Sequence, residues 1–175
     1  MEYTVIGWPE DEPTLRLDHR QFAYAGKFVM SNTGKAVVRG PRGTLLSAVA
    51  FNADRTDDDR LRLRYITTRN SHRGQGIGTR LASFITARAH ERAFDTVTIA
   101  VNNPFAFHAL SKAGFGFTGE QTGMAELVLA HPHDRSSYQT GLDLFRERDL
   151  SMAELAFLQR KADTSPPTIV PDPSG

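Results

Sequence analysis

At 175 residues the chain is long enough to fold around one hydrophobic core, and two domains would be a tight fit. Its 39% hydrophobic and 23% charged residues include no apolar run near the ~18 residues that a membrane helix needs, so no membrane association is expected. A net charge of +1 gives no general basic field for nucleic acid, and the lack of cysteine excludes disulfides, thiolate metal sites and a covalent acyl-cysteine intermediate. Met1-Glu2-Tyr3-Thr4-Val5 holds neither a basic patch nor an apolar signal core, which makes the cytoplasm the expected location.

Tyr3 to Trp8 reads as a short strand closed by Pro9 and the acidic Glu10-Asp11-Glu12-Pro13. Leu15 to Tyr24 is ambiguous, because Leu15, Leu17, Phe22 and Tyr24 partly alternate while residues 18–22 equally fit a helical turn. Phe28-Val29-Met30, Asn32-Thr33-Gly34-Lys35 and Ala36-Val37-Val38 read as a hairpin, and Thr44 to Phe51 as a further strand. Residues 54–60 form a polar turn whose acidic run reads as a solvated loop. Leu61 to Thr68 is the central strand, with Leu61, Leu63, Tyr65 and Thr67 expected on one face and Arg62, Arg64, Ile66 and Thr68 on the other.

The strand runs into Arg69-Asn70-Ser71-His72-Arg73-Gly74-Gln75-Gly76-Ile77-Gly78-Thr79, after which Ile77, Leu81, Ile85 and Ala89 take up a helical period. Glycines at 74, 76 and 78 let backbone N–H groups converge at the positive end of that helix, which suits a phosphate or pyrophosphate. A Walker loop is excluded, since no lysine lies between Lys35 and Lys112, and a dinucleotide fingerprint is a weak match because the third glycine comes one residue early. Asp95 to Val101 is the next strand. Asn103 then caps a helix that opens on Pro104 and ends at Gly114. Phe115–Glu120 and Met124–Ala130 read as a closing hairpin. His131 and His133 have no third ligand nearby, so no metal is expected. Ser137–Arg148 and Ser151–Ala162 read as helices, the second with a Ser151/Glu154 capping box and an apolar side of Leu155, Phe157 and Leu158. The four prolines after Thr164 predict a disordered tail over residues 164–175, leaving residues 1–163 as a single domain.

Arg73-x-x-Gly76-x-Gly78 resembles the Arg/Gln-x-x-Gly-x-Gly/Ala loop of the GCN5-related N-acetyltransferases, and Asn103 to Phe115 resembles the later segment Asn-x-x-Ala-x-x-Leu-Tyr-x-x-x-Gly-Phe of that family. The resemblance covers the motifs within residues 61–130 and implies an α/β fold. Its sheet would be mixed and mostly antiparallel, flanked by helices, with a splayed strand pair holding the cofactor and extra C-terminal helices at 137–162. It implies acetyl-CoA as co-substrate and acetyl transfer to a small-molecule or peptide amine; homodimers are common in the family. The backbone of Ile66, Thr67 and Thr68 would pair with the pantetheine. Arg73, Gly74, Gln75, Gly76, Ile77, Gly78 and Thr79 would hold the pyrophosphate, and Asn103 would contact the arm.

The sequence departs from the family at the chemistry. The tyrosine that protonates the leaving thiolate falls on Leu110, and the glutamate that helps deprotonate the amine falls on Thr98; neither can do the work. Ser111, His108 and Glu126 are the substitute candidates, although Ser111 and His108 lie off the face of Leu110 on helical spacing. Arg62 and Arg64 either pair with carboxylates at the sheet's rim, or Arg64 faces the acceptor and favours one that carries an anion. Without acid and base, the alternative reading is a CoA-binding or acyl-CoA-binding sensor.

Overall fold

The computed structural model describes residues 1–123 and 126–173. Among them the strands are β1 (Glu2–Gly7), β2 (Gly34–Arg39), β3 (Leu45–Asp54), β4 (Asp57–Thr68), β5 (Thr96–Val101), β6 (Gly116–Thr122) and β7 (Glu126–His131). The helices are α1 (Ile77–Glu91), α2 (Pro104–Lys112), α3 (Tyr138–Leu144) and α4 (Met152–Arg160). The strands belong to one open, mostly antiparallel sheet in the order β1-β2-β3-β4-β5-β7-β6. Two compact units divide the chain, Met1–Val97 with the segment from Pro171, and Thr98–Val170. No helix among the described residues is long and apolar enough to cross a membrane.

In the first unit β1 to β4 form an antiparallel meander, with Tyr3 opposite Val38, Val37 opposite Ala48, and Ala48 opposite Thr67. Strands β2 and β3 are apolar on both faces, with Ala36, Val37, Val38 and residues 48–51 fully buried, because both faces are covered. Helix α1 covers one: Ile77, Leu81, Ile85 and Ala89 form its buried stripe, as their spacing predicts, and Phe84 meets the Tyr3 ring at 5.7 Å. Phe51 on that face packs edge-on against Trp8, which is stacked on Phe94 and capped by the Arg92 guanidinium. The irregular segment before β2 covers the other face, placing Phe28 against Val37, Ala48 and Ala50, with Leu15, Leu17 and Tyr65 around it. Lys35, opposite Ala50 on this face, is fully buried, and its ammonium donates to the carbonyls of Pro13 (2.6 Å), Thr33 (2.9 Å) and Met30.

Three expectations need correction here. Phe28-Val29-Met30 is not a hairpin arm: residues 25–29 wind into a 3-10 turn after a left-handed Tyr24 (φ 61°), and β2 pairs with β1 instead. Burial of Phe28 overrides its β propensity. The polar turn shrinks to Arg55-Thr56, since Asp54 accepts the backbone N–H and hydroxyl of Thr56, each at 2.9 Å, and closes the hairpin early.

The third correction concerns the faces of β4. Ala50 lies opposite Tyr65 while its neighbour Phe51 lies opposite Leu63, so Arg64 is an extra residue, a β-bulge. The bulge shifts the alternation by one. Leu61 and Leu63 share the α1 face with Ala53 and Phe51, whereas Tyr65 and Thr67 share the opposite face with Ala50 and Ala48.

In the second unit α2 is built as its sequence dictates: Asn103 Oδ1 accepts the Ala106 N–H at 2.9 Å, Pro104 takes the first helical position, and Gly114 follows with φ 94°. Phe107 on α2 is fully buried among the rings of Phe117, Tyr138 and Phe145. Strands β6 and β7 pair antiparallel as the closing hairpin; Met124 and Ala125, expected at the start of its second arm, lie outside the described residues. Helix α3 stops at Leu144 and tightens into a 3-10 turn over Phe145–Glu147 rather than continuing to Arg148. The capping box of α4 forms, with Glu154 N–H to Ser151 Oγ at 3.1 Å and Ser151 N–H to Glu154 Oε1 at 3.0 Å. Leu158 and Phe157 are buried, whereas Leu155 is 44% exposed.

Between Thr164 and Pro173 there is no helix or strand. The Val170 N–H donates to Lys112 O at 2.7 Å, Arg135 donates to the carbonyls of Ser111 and Pro167, and Asp172 pairs with Arg88 at 2.8 Å. Ser174 and Gly175 lie outside the described residues.

Candidate functional site

The loop joining β4 to α1 is set by two positive-φ glycines, Gly74 (80°) and Gly76 (78°), around which no atom would lie within 4 Å of an added Cβ. Both therefore leave open space beside the backbone. Gly76 is the N-cap of α1 and offers no side-chain oxygen, so the first-turn N–H groups of Ile77, Gly78 and Thr79 face outward from a helix start with no acidic residue. The first hydrogen bond of the helix is Arg80 N–H to Gly76 O. The side chains of Ile77 and Thr79 are buried.

Gly78 plays a different part from the other two. It is helical, and a Cβ there would stand 3.2 Å from Thr68 Oγ1, so its bareness admits the end of β4 rather than a ligand. Thr68 Oγ1 is 3.1 Å from Ser47 Oγ, which also donates to Thr67 O at 2.7 Å. Arg80 Nη2 reaches back to Gln75 O at 3.1 Å and braces the loop, while Arg73 is exposed. Upstream, Arg69 donates its N–H to Leu46 O and its Nε to Leu45 O, and Asn70 N–H donates to Gln21 O. Ser47 and Asn70 carried no signal in the sequence, because their roles depend on register.

Along β4, Thr67 is buried and its hydroxyl has no partner among the described residues, and Ile66 and Thr68 are half-buried. An open glycine backbone and a helix start with no side-chain cap together fit a ligand with a phosphate end.

In the second unit Asn103 uses its oxygen on the α2 cap, which leaves its amide to Asn102 Oδ1 at 3.2 Å. Leu110 and Thr98 are both buried. Ser111 is 3% exposed and donates to Phe107 O at 2.9 Å, so its hydroxyl is committed to its own helix. His108 Nδ1 lies 2.8 Å from the Tyr138 hydroxyl, and its ring meets Phe157 edge-on at 5.4 Å. Desolvation, helped by Lys161 and Lys112, pushes His108 down to about 4, so it is neutral at physiological pH. Glu126 is exposed, 3.4 Å from Thr122 Oγ1. These three candidates bond to different partners. No group of three or more metal-ligating side chains occurs among the described residues.

The model of the acetyltransferase (GNAT) family matches residues 2–117, two thirds of the chain, and the chain belongs to that family. The fold agrees with solved structures. A GCN5-related N-acetyltransferase from Kribbella flavida is 20% identical, over 58% of this chain and 68% of that one, with a TM-score of 0.50. Nourseothricin acetyltransferase is 26% identical over 56% of this chain, with a TM-score of 0.49, and the chain spans 64% of its length. A GNAT superfamily phosphinothricin acetyltransferase from Sinorhizobium meliloti, in complex with AcCoA, is 19% identical over 57% of this chain and 60% of that one, with a TM-score of 0.49. No curated protein matches the sequence.

Proposed function

We propose that the chain transfers acetyl from acetyl-CoA directly to an amine. The observation that carries this reading, beside the family itself, is the loop over residues 73–79: two open positive-φ glycines lead into an uncapped helix start free of carboxylates. The N–H groups of residues 76–79 hold the pyrophosphate, Arg73 and Arg80 add charge, and the backbone of Ile66, Thr67 and Thr68 pairs with pantetheine amides. With no cysteine in the chain, the amine attacks the thioester carbonyl itself.

Orientation carries most of the catalysis in this account, worth about 7–11 kcal/mol at its upper range. The bulge at Arg64 takes backbone groups out of the β3–β4 ladder close to where the arm ends, and such an amide polarises the carbonyl. His108 is held neutral and Ser111 is hydrogen-bonded within α2, which leaves Glu126 as the candidate base to test first. Acceptor-dependent release of free thiol from acetyl-CoA, with a 42 Da gain on the amine expected from acetylation, tests the reading. Affinity for acetyl-CoA without such release from any amine favours a second one, an acyl-CoA sensor, which the buried Leu110 and Thr98 at the usual acid and base positions support.

A further inference from the structure

Arg64 has a cause for its position and none for its charge. As the extra residue of the β4 bulge it leaves the regular alternation, and its Nε donates to Asn52 Oδ1 at 2.6 Å. Asn52 lies opposite Arg62 and shares its face with Ala50 and Tyr65, which places the Arg64 head group on the face away from α1. Among the described residues Asn52 is the one hydrogen-bond partner of that side chain, and no carboxylate stands within 4 Å of it. Asp54, which acts on Arg64 as an opposite charge from beyond 4 Å, is engaged by Thr56 and Arg60.

The surroundings add to the positive charge. Arg62 and Arg55 both act on Arg64 as like charges, and Lys27 stands over the ring of the adjacent Tyr65 at 5.7 Å. Tyr24, 55% exposed, leans on Tyr65 with ring centroids 5.6 Å apart. Partial burial of an arginine without a carboxylate costs stability, so the arrangement calls for an anion from outside. Its Nε is pinned by Asn52, which pre-aims the two Nη groups as a fork, the geometry that carboxylates match.

We propose that the acceptor is an amine bearing a carboxylate, gripped by the Arg64 fork beside the Tyr24–Tyr65 pair. This rests on the acetyl-CoA reading above. An arm paired along residues 68 to 66 from a pyrophosphate at 74–79 ends beside residues 64 and 65, which brings the thioester to the bulge. The carboxylate then fixes the amine at that point, and Arg64 is the residue that sets specificity.

The test uses matched pairs of L-amino acids and their amides as acceptors, read by thiol release from acetyl-CoA. Among pairs that are turned over, the carboxylate member is expected to show a kcat/KM roughly 10- to 100-fold above its amide. Arg64→Gln is expected to abolish that preference, chiefly by losing the carboxylate substrate. Arg64→Lys, which keeps charge without the fork, is expected to retain a part of it. Calorimetric affinity for acetyl-CoA should be unchanged in both variants, which also shows that they fold. If the wild type binds acetyl-CoA but turns over no carboxylate faster than its amide, or if Arg64→Gln loses both members equally, the proposal is overturned. Failure of the wild type to bind acetyl-CoA would instead remove the cofactor reading beneath it.

Discussion

His108 shows how a residue type that suggests chemistry can be given over to packing. Its ring lies between Phe157 and Tyr138, and burial moves its protonation down to about 4. The folded value lies below the ordinary 6.5, so the unfolded chain binds more protons between the two. Stability is therefore full above about pH 6.5 and falls as pH drops towards 4. Relative to His108→Gln, the wild type should lose about 1–2 kcal/mol across that window in urea unfolding, less than the full linkage value because the ring is only half-buried. Its imidazole should titrate near 4 by NMR, and the pH–rate profile should show no inflection from it between pH 6 and 8. A His108 imidazole that titrates near 6.5 would contradict this. Sequence spacing placed His108 and Ser111 off the face of Leu110, and the structure gives each a partner. The identity of those partners, Tyr138 and the Phe107 carbonyl, was not legible, because it depends on helix docking.

Elements with strong local signals were readable, including α1 from its apolar period, α2 from Asn103, Pro104 and Gly114, and α4 from its capping box. Two features were not. The bulge at Arg64 has no composition signature, and it turns Tyr65 and Thr67 to the face opposite Leu61 and Leu63. The covering segment over residues 13–33 has neither period. It is held by Phe28 in the core and by Lys35, whose ammonium serves three carbonyls from different parts of it. Lys35→Met keeps the volume but leaves those carbonyls without a donor. It should destabilise the fold by about 2–4 kcal/mol in urea unfolding, and a loss under about 0.5 kcal/mol would contradict the clamp. Ser151→Ala removes half of a capping box on an exposed helix end, so about 1 kcal/mol is expected, with faster amide exchange at Glu154.

For the molecule as a whole, the family was visible in two motifs, because a loop that admits a ligand constrains residue type at fixed spacing. The acceptor side proposed above was not, since a segment without periodicity and a bulge would build it. The central claim is that the loop over residues 73–79 holds the pyrophosphate of acetyl-CoA. Gly76→Val acts on the loop backbone, since valine tolerates a φ of 78° poorly, and displaces no packed neighbour because 76 faces open space, whereas a side chain at 78 would strike Thr68. The decisive measurement is calorimetric titration of the wild type and Gly76→Val with acetyl-CoA and, in parallel, with CoA and ADP. The account predicts micromolar binding of acetyl-CoA, clearly weaker binding of ADP, and a loss of at least tenfold in Gly76→Val with the fold retained by circular dichroism. No binding of acetyl-CoA, or equal binding of ADP, would contradict it.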